Sequence, residues 1–195
     1  MRKARVQRTT GETDIALHVD IDGTGQWDVD TGVGFFDHML SHIAAHGLID
    51  LTIHAKGDLH VDAHHTVEDV GIALGQALKQ ALGDRKGIVR YGHSVLPMDE
   101  ALALVALDFS NRGLFCEDMA FSAQHVGGFD TELVSEFLRA FAHNAGMTLH
   151  VRLICGENTH HQIEAVFKAL GRALRQALAV DTRRADTVPS TKGVL

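Results

Sequence analysis

His64–Leu82 reads HHTVEDVGIALGQALKQAL, and His160–Leu178 reads HHQIEAVFKALGRALRQAL. The stretches start 96 residues apart and agree at 12 of 19 positions, among them both histidines, the glutamate and a glycine. Agreement this dense between two helices marks a duplication rather than chance. At the same offset, Thr52-Ile53-His54 matches Thr148-Leu149-His150. The chain reads as one half written twice, 1–92 and 93–195.

Working outward gives each half its elements. In His64–Leu82 the apolar residues Val67, Val70, Leu74, Ala77, Leu78 and Ala81 follow helical spacing, and Gly83 ends the run. His160–Ala179 repeats the pattern. Phe35–His46 predicts a second helix closed by Gly47, and Thr131–Ala145 its counterpart before Gly146. Alternation predicts strands over Lys3–Arg8, Asp14–Ile21 and Leu48–Ala55, then over Ala101–Phe109, Leu114–Phe121 and Met147–Ile154. The expected class is α+β, a duplicated ββαβα half giving two sheets covered by helices. From Asp181 onward the chain is polar and predicts no regular structure.

The chain has 195 residues, 45% hydrophobic and 22% charged, which is globular composition. Its net charge of −7 suits neither nucleic acid nor an anionic membrane surface. Cys116 and Cys155 form no CxxC pair, and a reducing compartment fits them. The stretch up to Asp14 lacks an apolar signal core, and the apolar run Ala101–Leu107 is too short to span a bilayer. A soluble cytoplasmic protein is expected.

Fourteen histidines are many for this length, and they cluster. The pentad His64-His65-x-x-Glu68 recurs as His160-His161-x-x-Glu164. Positions i and i+4 share a helix face, so His64 with Glu68, and His160 with Glu164, can each grip one metal. His65 and His161 point about 100° away and could serve a second ion. Two pentad helices facing each other would build two sites. Imidazoles with a carboxylate suit manganese, iron, zinc or nickel alike. Further ligands are expected from the other helix of each half, with His38 matched by Glu136. His42 and His46 read as packing or supporting residues. His18, His54, His93, His125, His143 and His150 have no spacing that singles them out and read as structural.

The segments FFDHMLSHIAAHG (35–47), GDLHVDAHHTVEDVGIALG (57–75), GENTHHQIEAVFKALGRALRQA (156–177) and PSTKGVL (189–195) resemble the imidazoleglycerol-phosphate dehydratase family nearly end to end. That resemblance implies two α/β halves like the second domain of ribosomal protein S5. It also implies a shell of 24 copies, active sites at subunit contacts and two divalent metals per site, usually manganese. One metal would take His64, Glu68 and His161, and the other His38, His65, His160 and Glu164. Many members have histidine where this chain has Glu136, which leaves the fourth ligand of the first site open.

The implied reaction removes water from a phosphorylated imidazole diol, a step of histidine biosynthesis. The departing hydrogen is not acidified by a carbonyl, so charge on the ring must be stabilised first. The family places a proton-transferring carboxylate at the position of Glu12. With it, His65, Glu68, His161 and Glu164 count as catalytic. His38, His46, Arg90, Arg112, Lys168, Ser190, Thr191 and Lys192 would bind the substrate and its phosphate. No nucleotide-binding loop is present. The ligand pattern by itself also admits a dinuclear metal hydrolase or a non-catalytic metal-binding shell protein.

Overall fold

The computed structural model describes residues 2–195, so Met1 lies outside it. Strands β1 (Lys3–Thr9), β2 (Thr13–Asp20), β3 (Trp27–Asp30) and β4 (Asp50–Gly57) form one sheet in the order β1-β2-β4-β3. Helices α1 (Gly34–Gly47) and α2 (His64–Leu82) complete that half. The second half repeats it: β5 (Tyr91–Met98), β6 (Ala101–Asp108), β7 (Leu114–Asp118) and β10 (Thr148–Cys155) run in the order β5-β6-β10-β7. Helices α3 (Glu132–Ala145) and α4 (Thr159–Leu178) follow the same places. A small hairpin, β8 (His125–Val126) with β9 (Phe129–Asp130), precedes α3. In both sheets the third strand runs parallel to the fourth, β3 beside β4 and β7 beside β10.

Each four-stranded sheet therefore has one more strand than expected, with β6 and β7 the second and third strands of the second half, and the β8–β9 hairpin is a further addition. The reasons are local. β3 is a largely exposed edge strand of four residues, WDVD, too short for its alternation to stand out. The inward positions of β5 include Gly92 and Ser94, because α4 lies too close for larger side chains. A Cβ on Gly92 would stand 1.9 Å from the Ala173 carbonyl oxygen. The tail beyond Val180 has turns only.

The four helices pack between the sheets, and they pair across the halves: α1 against α4, and α2 against α3. The repeat's glycine explains how. A Cβ at Gly75 would meet the Phe141 carbonyl oxygen at 2.7 Å, and one at Gly171 the His42 carbonyl oxygen at 3.0 Å. Both crossings thus need a residue without a side chain, and each added methyl would cost about 1–3 kcal/mol of overpacking. The first helix does not end as expected. Gly47 is its last residue, and Leu48 takes the left-handed conformation at φ 51°. Around this frame Phe36, Phe137, Phe141 and Phe167 fill the centre of one continuous core.

Candidate functional site

The α1–α4 crossing brings His38, His160 and Glu164 together, with one donor atom of each within 4.8 Å of the others. His160 Nε2 lies 3.0 Å from Glu164 Oε2, one helical turn apart. His38 Nε2 approaches the same oxygen at 3.8 Å. The other oxygen meets Lys168 Nζ at 2.5 Å and His42 Nε2 at 3.4 Å. Burial pushes the Glu164 carboxyl up, but Lys168, His42 and His38 outweigh it and hold the group below its ordinary range. Phe35 packs edge-on against the His160 ring at 5.2 Å and limits its rotation. Two imidazoles and a charge-balanced carboxylate converging this closely could hold a divalent cation.

His42 and His46 flank this group on α1. Burial lowers the His42 pKa to about 4, and burial followed by the Lys168 charge lowers that of His46. A depressed histidine pKa means the fold prefers the neutral ring. That stability is complete above the unfolded value near 6.5 and is lost as pH falls from there towards 4. We expect metal-free protein to lose about 2 kcal/mol more than a His42→Asn variant between pH 7 and 4.5 in denaturant titrations. Equal losses would show that His42 is not the group responsible.

The pentad of α2 is placed differently. The expected face-to-face pairing of the two pentad helices is absent, because α2 packs chiefly on α3 and α4 on α1. Glu136 sits on α3 at the place His38 holds on α1, but its carboxylate accepts from Arg139 Nη1 at 2.6 Å. Among the described residues no ion pair joins it to His64. Instead His64 lines a cavity of about 400 Å³ with Phe35, Leu59 and Phe129.

The second histidine of each pentad has carboxylates on both sides. His65 Nδ1 lies 3.0 Å from Asp58 Oδ2, and its Nε2 is 3.7 Å from Glu12 Oε1. His161 Nδ1 lies 2.7 Å from Glu100 Oε2, and its Nε2 is 3.9 Å from Asp99 Oδ2. The hydrogen bonds to Asp58 and Glu100 raise the pKa of the two rings. Glu100 is driven down to about 2 by His161 and by the Asn158 backbone N–H. Asp58, Asp99 and Glu100 were not legible as site residues. Acidic residues in turns read as solvated, and Asp58 and Glu100 occupy different places in the two halves, so the repeat gave no signal.

Glu12 sits on the β1–β2 turn. Thr10 Oγ1 accepts from the Glu12 and Thr13 backbone N–H groups at 3.1 and 3.0 Å. Thr13 Oγ1 donates to the buried Asp69 carboxylate at 2.5 Å, and Arg8 holds that carboxylate from the other side. The turn is thereby tied to α2.

The residues expected at the phosphate divide into three places. Buried Arg90 donates to Asp108 from Nε at 2.7 Å and to the Pro189 carbonyl from Nη1 at 2.7 Å. It thus clamps the tail, and a cavity of about 480 Å³ lies between Arg90, Tyr91, Ser190 and Thr191. The Lys192 backbone N–H donates to Ser190 Oγ at 3.2 Å. Arg112 is exposed on the turn after β6, and its guanidinium has no ion pair among the described residues. Lys168 is spent on Glu164 in the histidine group. The histidines read as structural include exposed ones, with His54 and His125 paired to Asp28 and Asp130 at the surface.

A family profile described as imidazoleglycerol-phosphate dehydratase matches residues 31–174. An imidazoleglycerol-phosphate dehydratase of Desulforamulus reducens is 63% identical over 194 residues, covering 100% of this chain and 98% of that one. One from Cereibacter sphaeroides is 58% identical over the full length of both. The crystal structure of the Staphylococcus aureus dehydratase superposes with a TM-score of 0.84 at 44% identity, over 92% of this chain and 99% of that one. The Pyrococcus furiosus structure, in complex with (S)-C348, gives 0.84 at 38% identity over 97% and 100%. With the family profile covering most of the chain and full-length relatives this close, the chain belongs to the imidazoleglycerol-phosphate dehydratase family.

Proposed function

We infer that the protein is a hydro-lyase that dehydrates D-erythro-imidazoleglycerol phosphate to imidazoleacetol phosphate, a step of L-histidine biosynthesis. The observation that carries this reading, beyond family membership, is the convergence of His38, His160 and Glu164 on one point. The donor set fits a divalent ion. We assign His38, His65, His160 and Glu164 to one metal, and His64, Glu68 and His161 to the other, with Glu136 as a fourth donor if Arg139 lets go. Manganese is the proposed ion. Bound there, it would supply Lewis-acid stabilisation of negative charge on the imidazole ring.

The chain's own residues supply the rest. Glu12 is exposed on an anchored turn, with its carboxylate beside a pentad histidine, and is the proposed carrier of the carbon-bound proton. His46 and Lys168 border the same group and would orient the ring and diol. Arg112, Ser190, Thr191 and Lys192 offer cationic and hydroxyl donors to the phosphate, and Arg90 keeps N–H donors beyond those given to Asp108 and Pro189.

The reading includes assembly, for which 24 copies are proposed. Supporting it, His65 and His161 lie outside the α1–α4 group of their own chain, which leaves them for another copy. The outer face of the second sheet also carries exposed apolar residues among His93, His150 and Arg152. Exposed Val95 stands in register with Leu104, and Ile154 is exposed nearby. Exposed apolar side chains set among polar ones suit a protein partner. Free Cys116 and Cys155 suit the cytoplasm. Among the described residues no helix is long and apolar enough to cross a membrane. The two halves, expected as 1–92 and 93–195, are proposed as a duplicated pair joined just before β5 at Tyr91, each carrying one pentad.

The deciding experiment incubates purified protein with Mn2+ and imidazoleglycerol phosphate and follows ketone formation, with a chelated sample beside it. Metal-dependent imidazoleacetol phosphate is expected. Phosphate release without ketone would favour a hydrolase, and metal uptake with no turnover a storage shell. For the phosphate grip, Arg112→Ala should raise KM by about 10- to 100-fold with kcat little changed, as loss of one charge-assisted contact predicts. A fall in kcat with constant KM would place Arg112 in the chemistry instead.

A further inference from the structure

The two histidines that begin each pentad are not equivalent, and the surroundings of the second one are unusual. His65 and His161 each turn the same ring nitrogen, Nδ1, onto a carboxylate, at 3.0 and 2.7 Å. The carboxylates come from unrelated places. Asp58 follows β4, whereas Glu100 lies in the β5–β6 turn. Position 154, the repeat equivalent of Asp58, holds isoleucine. The duplicated sequence therefore did not hand both halves this contact, yet both have it with the same nitrogen.

The Glu100 carboxylate and the Asp58 backbone are themselves fixed. Glu100 Oε1 accepts the Asn158 and Glu157 backbone N–H groups at 2.8 and 3.2 Å, just before α4 begins. The Asp58 side chain is largely covered, and its backbone N–H donates to the Glu12 carbonyl at 3.1 Å. The far ring nitrogens are left alone. Nε2 of His65 and of His161 stand 3.7 and 3.9 Å from Glu12 and Asp99, beyond hydrogen-bond reach.

We propose that Asp58 and Glu100 are positioning residues that hold His65 and His161 in the Nδ1–H tautomer, with each Nε2 lone pair free. An ionised carboxylate only accepts, so a neutral ring beside it must present N–H to it and an unprotonated nitrogen opposite. That is the form a metal ligand needs before an ion arrives, and the fixed carboxylate holds the ring plane as well. The role rests on reading His65 and His161 as ligands.

The tautomer can be read without metal. Magic-angle-spinning ¹⁵N NMR of histidine-labelled, metal-free protein at pH 8.5 should show Nδ1–H rings for both residues. Glu100→Ala should convert one of them, and Asp58→Ala should convert the other. Calorimetric Mn2+ titration of the assembled protein should show about 10- to 100-fold weaker binding for Glu100→Ala. Glu100→Gln, whose amide oxygen still accepts from Nδ1–H, should recover most of that loss. Spectra unchanged by Glu100→Ala, or a Glu100→Gln variant as weak as the alanine, would overturn the proposal. If Glu100→Ala does not fold, Asp58→Ala decides it by the same two readings at His65. A wild-type protein that takes up no Mn2+ would remove the ligand reading, while the metal-free NMR would still decide the tautomer.

Discussion

Glu12→Gln lowers kcat by about 10²- to 10⁴-fold and leaves metal uptake unchanged, if Glu12 carries the proton. The substitution keeps size and shape and removes only the basic oxygen pair. Little structural cost is expected, because the turn is held by Thr10 and Thr13 rather than by the Glu12 side chain. The split between kinetics and metal content is what matters. Steady-state turnover measured beside metal analysis would separate a proton carrier from a ligand. Unchanged kcat would return Glu12 to a solvated turn residue, and lost metal would make it a ligand.

Glu164→Gln should do more. Glu164 is buried and is approached by His38, His42, His160 and Lys168 at once. Removing its charge leaves an ammonium and a cluster of imidazoles facing one another without a counter-ion. Metal bound per chain should fall from two towards one. Activity should drop by about 10²-fold or more, since losing a few kcal/mol of charge stabilisation costs that much. Metal analysis with activity at saturating Mn2+ tests both. Full metal content with normal kcat would mean that Glu164 is a structural partner of Lys168 and nothing else.

Legibility followed side-chain periodicity and failed where packing suppressed it. Helix α2 shows the regular apolar spacing of a helix pressed on a sheet, and its bounds, His64 and Leu82, were readable directly. Strand β5 hid because Gly92, facing α4, has no room for the apolar residue that alternation requires. Strand β3 hid because it is a short edge with one half-buried valine. At the site, duplication made His64, His65, Glu68, His160, His161 and Glu164 stand out together. It could not reveal that α1 covers the pentad of α4 rather than α4 facing α2. Nor could it reveal Asp58 and Glu100, since what their halves share is a contact and not a position. Glu136 shows the reverse: its place in the repeat matched it to His38 as a ligand, and a nearby arginine took its carboxylate.

The cross-pairing of α1 with α4 and α2 with α3 has a further consequence. Neither half owns a finished interior. Cut between α2 and β5, each fragment would show water two helix flanks, one of them bared at its glycine. A lone half could hide both flanks only by docking on a second half, and the arrangement it would adopt is the one the intact chain has now. The polypeptide is thus built like a two-fold dimer whose partners have been joined by a short tether. Such a molecule should melt in one transition, and its two fragments, co-expressed, should find each other.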